Sequence, residues 1–180
     1  MTVKSGTYTA AYGGNFATGV SSFNGNAQLT VEGAAKVTNI YGDSNYAGST
    51  HTGNVTLNLN NTTQTNVYGA YYSTVTGDTN VNMTGGQVTN LYGANTANAK
   101  PKNVNITVNG ATAQDSTVTP AKITGSVYGL STGKASGNVT IDLTNTTVSI
   151  SLYACGQNTT CEALTVSLNE GATVTSTLYM

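Results

Sequence analysis

The 180-residue sequence contains no arginine and no tryptophan, and only 7% of its residues are charged, compared with about 25% in an average soluble domain. Its six cationic side chains are all lysines, and the formal net charge is -1. Proteins that bind nucleic acid or an anionic membrane surface carry clustered positive charge. The composition therefore argues against a nucleic-acid partner and against attraction to a charged membrane.

Long apolar runs are also absent. No stretch approaches the roughly 20 apolar residues that a membrane-spanning helix needs, so the protein is not expected to span a membrane. The first residues, MTVKSGTYTAAYGG, lack the basic start and the continuous apolar run of a secretory signal peptide.

Glycine is abundant, with 21 residues, and threonine, asparagine and serine dominate the rest, a composition that can indicate disorder. However, the chain also has 11 tyrosines and many valines and isoleucines, which disordered chains lack. No segment shows the 3.6-residue apolar period of an amphipathic helix. We therefore expect an ordered, all-β protein with a nearly uncharged surface.

An apolar residue, a tyrosine and a glycine recur together along the chain, as in IYG, VYG and LYG, with altered copies AYG, LYA and LYM. Their tyrosines lie 24 to 36 residues apart. They are Tyr12, Tyr41, Tyr68, Tyr92, Tyr128, Tyr153 and Tyr179. A period of this length indicates a repeat architecture.

Between the tyrosines, apolar and polar residues alternate strictly, as in NVTLNLN. Such alternation over five or six residues predicts a strand with one buried face. Six segments share this frame, and their inward residues are Ala27/Leu29/Val31, Val55/Leu57/Leu59, Thr79/Val81/Met83, Val104/Ile106/Val108, Val139/Ile141/Leu143 and Leu164/Val166/Leu168. The alternation breaks at Val37 and Ile40, and we interpret the intervening Thr38-Asn39 as a corner with both apolar residues inward.

The energetics of one repeat favour stacking. A repeat offers about five apolar side chains worth ~2 kcal/mol each when buried, whereas ordering about two dozen residues costs ~1–2 kcal/mol each. A repeat must therefore lie against its neighbours. Near-constant repeat length favours a coil that climbs ~4.8 Å per turn over a sandwich, whose hairpins would carry Asn-Gly turns. We predict that residues 1–180 form one domain, a single-stranded parallel β-helix (β-solenoid) of about six turns.

Equivalent residues of such a coil lie above one another, so the tyrosines are expected to form a stacked column at ~1 kcal/mol per contact. The glycine after each tyrosine is expected to supply the backbone conformation of a tight bend. The Gly-Asn positions are expected to form an amide ladder, and they are Asn26, Asn54, Asp78, Asn103 and Asn138. We interpret both columns as structural. Exposed terminal strands would also favour end-to-end self-association.

Two departures from the regular repeat mark connections. The stretch between Asn109 and Gly129 carries about ten extra residues, so a loop near Gln114 to Lys122 is expected to protrude. Cys155 and Cys161 share one polar connection and are candidates for a local disulfide worth ~2–3 kcal/mol in the loop-entropy model. Two free thiols are the alternative.

The sequence contains little that indicates catalysis. Acid–base cleavage of a sugar needs two carboxylates ~5–10 Å apart, and the seven acidic residues are scattered. Asp43 and His51 share a connection, but no nucleophile accompanies them, and His51 is expected to be an exposed loop residue. We expect no catalytic residue, no metal and no cofactor, with a polysaccharide-degrading β-helix enzyme as the less favoured alternative.

The segments GNVTLNLNNTTQTNVYGA, GNVTIDLTNTTVSISLYA and GGQVTNLYGA resemble the repeat region of bacterial adhesin-like cell-surface proteins, especially those of Gram-positive gut bacteria. The resemblance implies a right-handed parallel β-helix at an extracellular, cell-surface location. It also implies contact with a host or neighbouring-cell protein or glycan, and some such proteins resemble immunoglobulin-binding or mucin-binding modules. Because repeat copies lie close to both ends, we expect these residues to be a fragment of a longer surface protein.

The binding hypothesis has its own candidate residues. Aromatic anchors dominate protein interfaces, and the tyrosines outside the column, expected to be exposed, are Tyr46, Tyr71 and Tyr72. Asp115 and Lys122 belong to the loop that is expected to protrude. The alternative is a rigid structural stalk without its own ligand. An ice-binding face is disfavoured because threonine and asparagine are mixed in every outward column.

Overall fold

The computed structural model describes residues 1–14, 22–110 and 120–180. These residues contain no helix and form twenty strands. The strands are β1 (Thr2–Val3), β2 (Thr7–Tyr12), β3 (Ser22–Asn24), β4 (Ala27–Glu32), β5 (Lys36–Tyr41), β6 (Thr50–Thr52), β7 (Val55–Ala70), β8 (Thr74–Val75), β9 (Thr79–Ala94), β10 (Val104–Asn109), β11 (Ala121–Ile123), β12 (Val127–Leu130), β13 (Gly133–Lys134), β14 (Val139–Thr144), β15 (Thr146–Val148), β16 (Ser151–Cys155), β17 (Thr159–Thr160), β18 (Leu164–Leu168), β19 (Thr173–Val174) and β20 (Thr177–Tyr179). None of the described residues belongs to a helix that could span a membrane.

Each strand pairs in parallel with the equivalent strands of the turns before and after it. One turn of the coil is called a rung. One side, the strand face, has the order β1-β4-β7-β9-β10-β14-β18. A second side, the tyrosine face, runs β2-β5-β7-β9-β12-β16-β20. Two short sheets, β3-β6-β8 and β13-β17, lie on the connections. The predicted parallel β-solenoid of about six turns is confirmed.

The core consists of the inward columns that the alternation predicted. Val55, Leu57 and Leu59 have no exposed surface, because every second side chain of a strand points to the same face. In register, Leu57 lies between Leu29 and Val81 of the adjacent rungs. Repetition of this pairing gives one continuous apolar cluster along the coil.

The corner before each tyrosine is also present. Val37, Ile40, Val88 and Leu91 are buried on either side of it. In β9 the chain stays in strand conformation through this corner, from Thr79 to Ala94, whereas residues 124–126 and 149–150 interrupt the strands before Tyr128 and Tyr153. Main-chain hydrogen bonds still join the rungs there, since the N–H of Gly125 donates to the carbonyl of Thr89 at 2.8 Å.

Glycine follows tyrosine for a different reason from the one expected. Gly69 and Gly93 do not have positive φ angles. A Cβ atom on Gly69 would lie 2.5 Å from the carbonyl oxygen of Gly93 and 2.6 Å from Cγ2 of Thr79. Crowding between rungs, rather than a tight-bend conformation, thus excludes larger side chains.

The column at the Gly-Asn positions is present, but most of its side chains accept hydrogen bonds from main-chain N–H groups of the next rung. The side-chain oxygen of Asn26 accepts the N–H of Asn54 at 2.9 Å, and that of Asn54 accepts the N–H of Asp78 at 2.9 Å. Asn103 accepts the N–H of Asn138 at 2.8 Å. Only Asn103 to Asp78, at 2.8 Å, joins two side chains. These side chains satisfy donors where strands begin.

Gln64 is a buried polar side chain inside the apolar core, 4% exposed. The segment leading to β5 has one residue more than its counterpart in β7, since Glu32 pairs with Asn60 but Asn39 pairs with Asn66. Gln64 bridges this irregularity. Its Oε1 accepts the N–H of Val37 at 2.6 Å and its Nε2 donates to the carbonyl of Ala35 at 2.7 Å.

Two predictions about connections are wrong. His51 is not an exposed loop residue: it lies in β6, is 2% exposed, and packs edge-on against Phe23 with 4.8 Å between ring centroids. Lys122 does not lie in a protruding loop: it is an exposed residue of strand β11 and pairs with Gln87 and Thr147. Asp115 lies outside the described residues.

Candidate functional site

The most regular surface feature is a stack of tyrosine rings, the tyrosine ladder. Adjacent rings are nearly parallel, with interplanar angles of 1° to 17° and centroid distances of 4.5 to 5.2 Å. Its members are Tyr12, Tyr41, Tyr68, Tyr92, Tyr128, Tyr153 and Tyr179. The rings point outward because Val67 and Gly69, the neighbours of Tyr68 in β7, point into the core.

Stacking decides what the ladder can offer to a ligand. At 4.5 to 5.2 Å the faces of neighbouring rings cover each other, so a ligand meets ring edges and hydroxyl groups. Burial, and secondarily the neighbouring tyrosines, raises the pKa of Tyr68 to about 12 and raises the pKa values of Tyr41 and Tyr92. These hydroxyls are therefore neutral donors and acceptors at physiological pH.

Two further rings, those of Tyr71 and Tyr72, lie beside the ladder. Together with the ladder rings of Tyr41 and Tyr68 they form the aromatic patch. The ring of Tyr71 is 4.6 Å from that of Tyr68 and 5.1 Å from that of Tyr41. Tyr72 packs edge-on against Tyr71 at 4.5 Å and is 37% exposed. Of the three tyrosines predicted to be exposed, only Tyr72 is; Tyr71 and Tyr46 are half-buried.

A buried carboxyl group holds the aromatic patch in place. Asp43 has no exposed surface; its Oδ1 accepts the N–H of Tyr71 at 3.2 Å and its Oδ2 accepts the hydroxyl of Ser73. Burial raises the pKa of the Asp43 carboxyl to about 7, against the lowering effect of these hydrogen bonds. The segment that carries Tyr71 and Tyr72 is thus fixed from both sides.

The strand face beside these rings is flat and almost uncharged. Asn82 donates to Asn58 at 3.0 Å, and Asn105 donates to Asn80 at 2.9 Å. These bonds between rungs hold the outward amides in fixed orientations. Nδ2 of Asn58 also donates to the Thr30 hydroxyl at 3.4 Å, and Nδ2 of Asn80 to the carbonyl of Val55 at 3.5 Å. The ion pair on this face joins Lys4 and Glu32 at 3.0 Å, and the hydrogen bond from Lys4 lowers the pKa of Glu32.

The two cysteines approach each other. Their sulfur atoms are 3.7 Å apart and both are thiols, a separation longer than the ~2.05 Å of a disulfide bond. Burial, followed by the hydrogen bond with Cys155, raises the pKa of Cys161 to about 11. The Cys155–Cys161 disulfide stays a prediction.

The residues weighed for catalysis have other partners. His51 Nε2 lies 2.8 Å from the carbonyl oxygen of Gly25, and burial lowers the pKa of His51. Asp43 is occupied by Ser73 and Tyr71. Within the part of the chain that the structure describes, no group of three or more His, Cys, Asp or Glu side chains is arranged to hold a metal ion.

Fold and surface together define a class: a parallel β-solenoid repeat protein with an outward tyrosine ladder. No protein-family model matches the sequence, and comparisons with curated proteins and with solved structures find no match either. The resemblance to adhesin-like proteins therefore rests on the repeat pattern alone.

Sequence reasoning missed the residues that fix the site. The Asp43–Ser73 contact joins positions 30 residues apart, and neither residue belongs to an alternating strand. A signal existed in the near-constant period, since Asp43 lies two residues after Tyr41 and Tyr71 lies three residues after Tyr68. Aligning the repeats would have placed the two segments on adjacent rungs.

Proposed function

We propose that the protein is a non-enzymatic, extracellular binding module of a bacterial cell surface. Its ligand would be a glycan or protein of a host or of a neighbouring cell, with immunoglobulin and mucin as candidates. The observation that carries the proposal is the aromatic patch, in which the exposed ring of Tyr72 lies 4.5 Å from Tyr71 beside a neutral ladder.

Rigidity supports this proposal. Tyrosine contributes a large contact area with few rotatable bonds, and Tyr71 is already fixed by Asp43 and the ladder. Association then loses little side-chain freedom, which is a main cost of binding. Because the strand face and the ladder are almost uncharged, contact through them should depend weakly on salt.

Binding to an array of glycans and host proteins, including immunoglobulin and mucin, tests the proposal. We expect the wild-type protein to bind at least one ligand, and Tyr72→Ala to weaken that binding about tenfold, as for an aromatic anchor. Tyr8→Ala is the matched control, because Tyr8 is 47% exposed and lies outside the aromatic patch. No binding at high protein concentration, or equal losses in both variants, would contradict the proposal.

A stalk without its own ligand is the second candidate, and the equivalence of the rungs favours it. Thr79 and Val104 occupy the same position on successive rungs, so deletion of residues 79–103 removes one rung in register. We expect the deletion variant to fold, as judged by circular dichroism and a cooperative melt. For a stalk, neither the wild type nor the shortened protein would bind a ligand of the array.

A further inference from the structure

Resting on the proposed function, we propose that a groove beside the tyrosine ladder binds an anionic saccharide, that is, a sugar carrying a carboxylate or sulfate group. Lys100 and Lys134 would contact the anionic group. The amides of Gln157 and Asn158 would contact the sugar hydroxyls.

A projecting turn builds this groove. Leu130 pairs with Cys155 and Gly133 pairs with Thr159, so the connection after β16 has one residue more than the connection below it. The extra residue forms a turn in which the Thr159 hydroxyl donates to the carbonyl of Gly156 at 2.8 Å. Asn158 in this turn has a φ of 57°. Gln157 and Asn158 of this turn are exposed, and the turn, residues 156–159, is here named the rib.

The rib separates two grooves that share Gln157. The first, of about 460 Å³, is lined by Ala97, Lys100, Thr132, Gly133, Lys134, Gln157 and Asn158. The second, of about 590 Å³, lies along the end of the ladder and includes Tyr128, Tyr153 and Tyr179. A ligand of two or more sugar units could therefore extend from the lysines, past Gln157, to the tyrosine hydroxyls.

The first groove is positive in an otherwise nearly neutral protein. Lys100 and Lys134 are exposed, and no aspartate or glutamate lines the groove with them. Neither lysine forms an ion pair with a described residue, the ion pair of the described ranges being that of Lys4 with Glu32. Two unpaired ammonium groups beside neutral amides and a hydroxyl form a site for a charged, hydroxyl-rich ligand.

A saccharide fits better than an acidic peptide. A peptide commonly adds a strand to a free sheet edge, but β13, which carries Lys134, is already paired with β17. Its other side is covered, since a Cβ on Gly133 would lie 2.8 Å from the carbonyl oxygen of Thr96. Because β13 offers no free edge at Lys134, recognition at the two lysines comes from side-chain hydrogen bonds and charge.

The test compares charged and neutral sugars of the same size. Probes are a sulfated disaccharide, a uronic-acid disaccharide, their neutral counterparts and an oligoglutamate peptide, measured by calorimetry at low and high salt. We expect a preference for the anionic sugars that weakens with salt, and an affinity loss of about tenfold or more in Lys100→Gln/Lys134→Gln. Lys4→Gln/Lys36→Gln is the control with equal charge change at exposed lysines outside both grooves, expected to bind normally. Melting curves verify that both variants fold.

Three results would overturn the proposal: no binding of anionic sugars at millimolar concentration, equal losses in both double variants, or tighter binding of the peptide. Failure here is distinguishable from failure of the proposed function. A protein that binds a neutral glycan or a host protein through Tyr72, without response to Lys100→Gln/Lys134→Gln, keeps the binding function and loses only this groove.

Discussion

Replacing Tyr68 by alanine removes a ring that contacts three others. Its centroid lies 5.2 Å from that of Tyr41, 4.9 Å from Tyr92 and 4.6 Å from Tyr71. At ~0.5–1.5 kcal/mol per aromatic contact beyond area burial, the lost contacts destabilise the protein by about 3 kcal/mol. For a chain of this size, that corresponds to a melting temperature lower by about 6–12 °C.

The number of ring contacts predicts a graded series. Tyr153 has two stacked partners, at 4.7 and 4.5 Å, and Tyr179 has one, at 4.5 Å. Alanine at these positions should cost about 2 and about 1 kcal/mol from ring contacts, measured by urea unfolding followed by circular dichroism. Tyr68→Phe, which keeps the ring, should cost less than Tyr68→Ala. Equal costs at Tyr68 and Tyr179 would refute the reasoning that contacts between stacked rings stabilise the coil.

Three further perturbations have definite outcomes. Gln64→Leu should destabilise by about 1–3 kcal/mol in urea unfolding despite adding apolar surface, because it leaves the N–H of Val37 unpaired. The carbonyl of Ala35 keeps its hydrogen bond from the Thr62 hydroxyl. The control Thr63→Val, at an exposed neighbour, should change little, and a stable Gln64→Leu would contradict the bridging role. The pKa of Asp43 is raised to about 7 in the folded protein, so its protonated carboxyl stabilises the fold. This stabilisation, on the order of 4 kcal/mol, should be fully present below pH ~4 and should be lost as the pH rises through 7. Asp43→Asn should remove that pH dependence. The lowered pKa of His51 changes the stability in the opposite sense below pH ~6.5, so the quantity to compare is the difference in unfolding free energy between wild type and variant at each pH. Identical pH profiles of the two proteins would refute the assignment. Mild oxidation should join Cys155 to Cys161 in a disulfide, detected by mass spectrometry as the loss of two hydrogen atoms and by the loss of thiol reactivity. The disulfide should add ~2–3 kcal/mol to the free energy of unfolding relative to Cys155→Ser/Cys161→Ser. Thiols that stay reactive would contradict this prediction.

The parts of the fold that follow from local pattern were predictable. Val55, Leu57 and Leu59 alternate with polar residues, and this period of two fixes the buried face whatever the neighbouring strand is. Repetition of the frame at Val81 and Ile106 then gives the register between rungs. The tyrosine column follows from the same repeat, since equivalent residues of a solenoid lie above one another.

What could not be predicted depends on differences between rungs. Gln64 is buried because the preceding rung has one residue more, and the pattern of a single repeat does not contain that mismatch. His51 looked like a loop residue among polar neighbours, yet it lies in a short strand against Phe23. Likewise, the groove beside Gln157 exists because one connection is longer than the connection below it. At Gln64 and at Gln157, single-residue length differences between rungs decide the surroundings of the side chain.

The parallel ladders between rungs have a mechanical consequence. Their hydrogen bonds point along the coil axis, and β7 pairs with β9 from Val55 opposite Thr79 to Ala70 opposite Ala94. A pull along the axis loads all bonds of one rung together, so a rung resists until many of them break at once. It would then release about 25 residues, or about 80 Å of extended chain. Lengthening under tension would therefore occur in discrete, rung-sized steps.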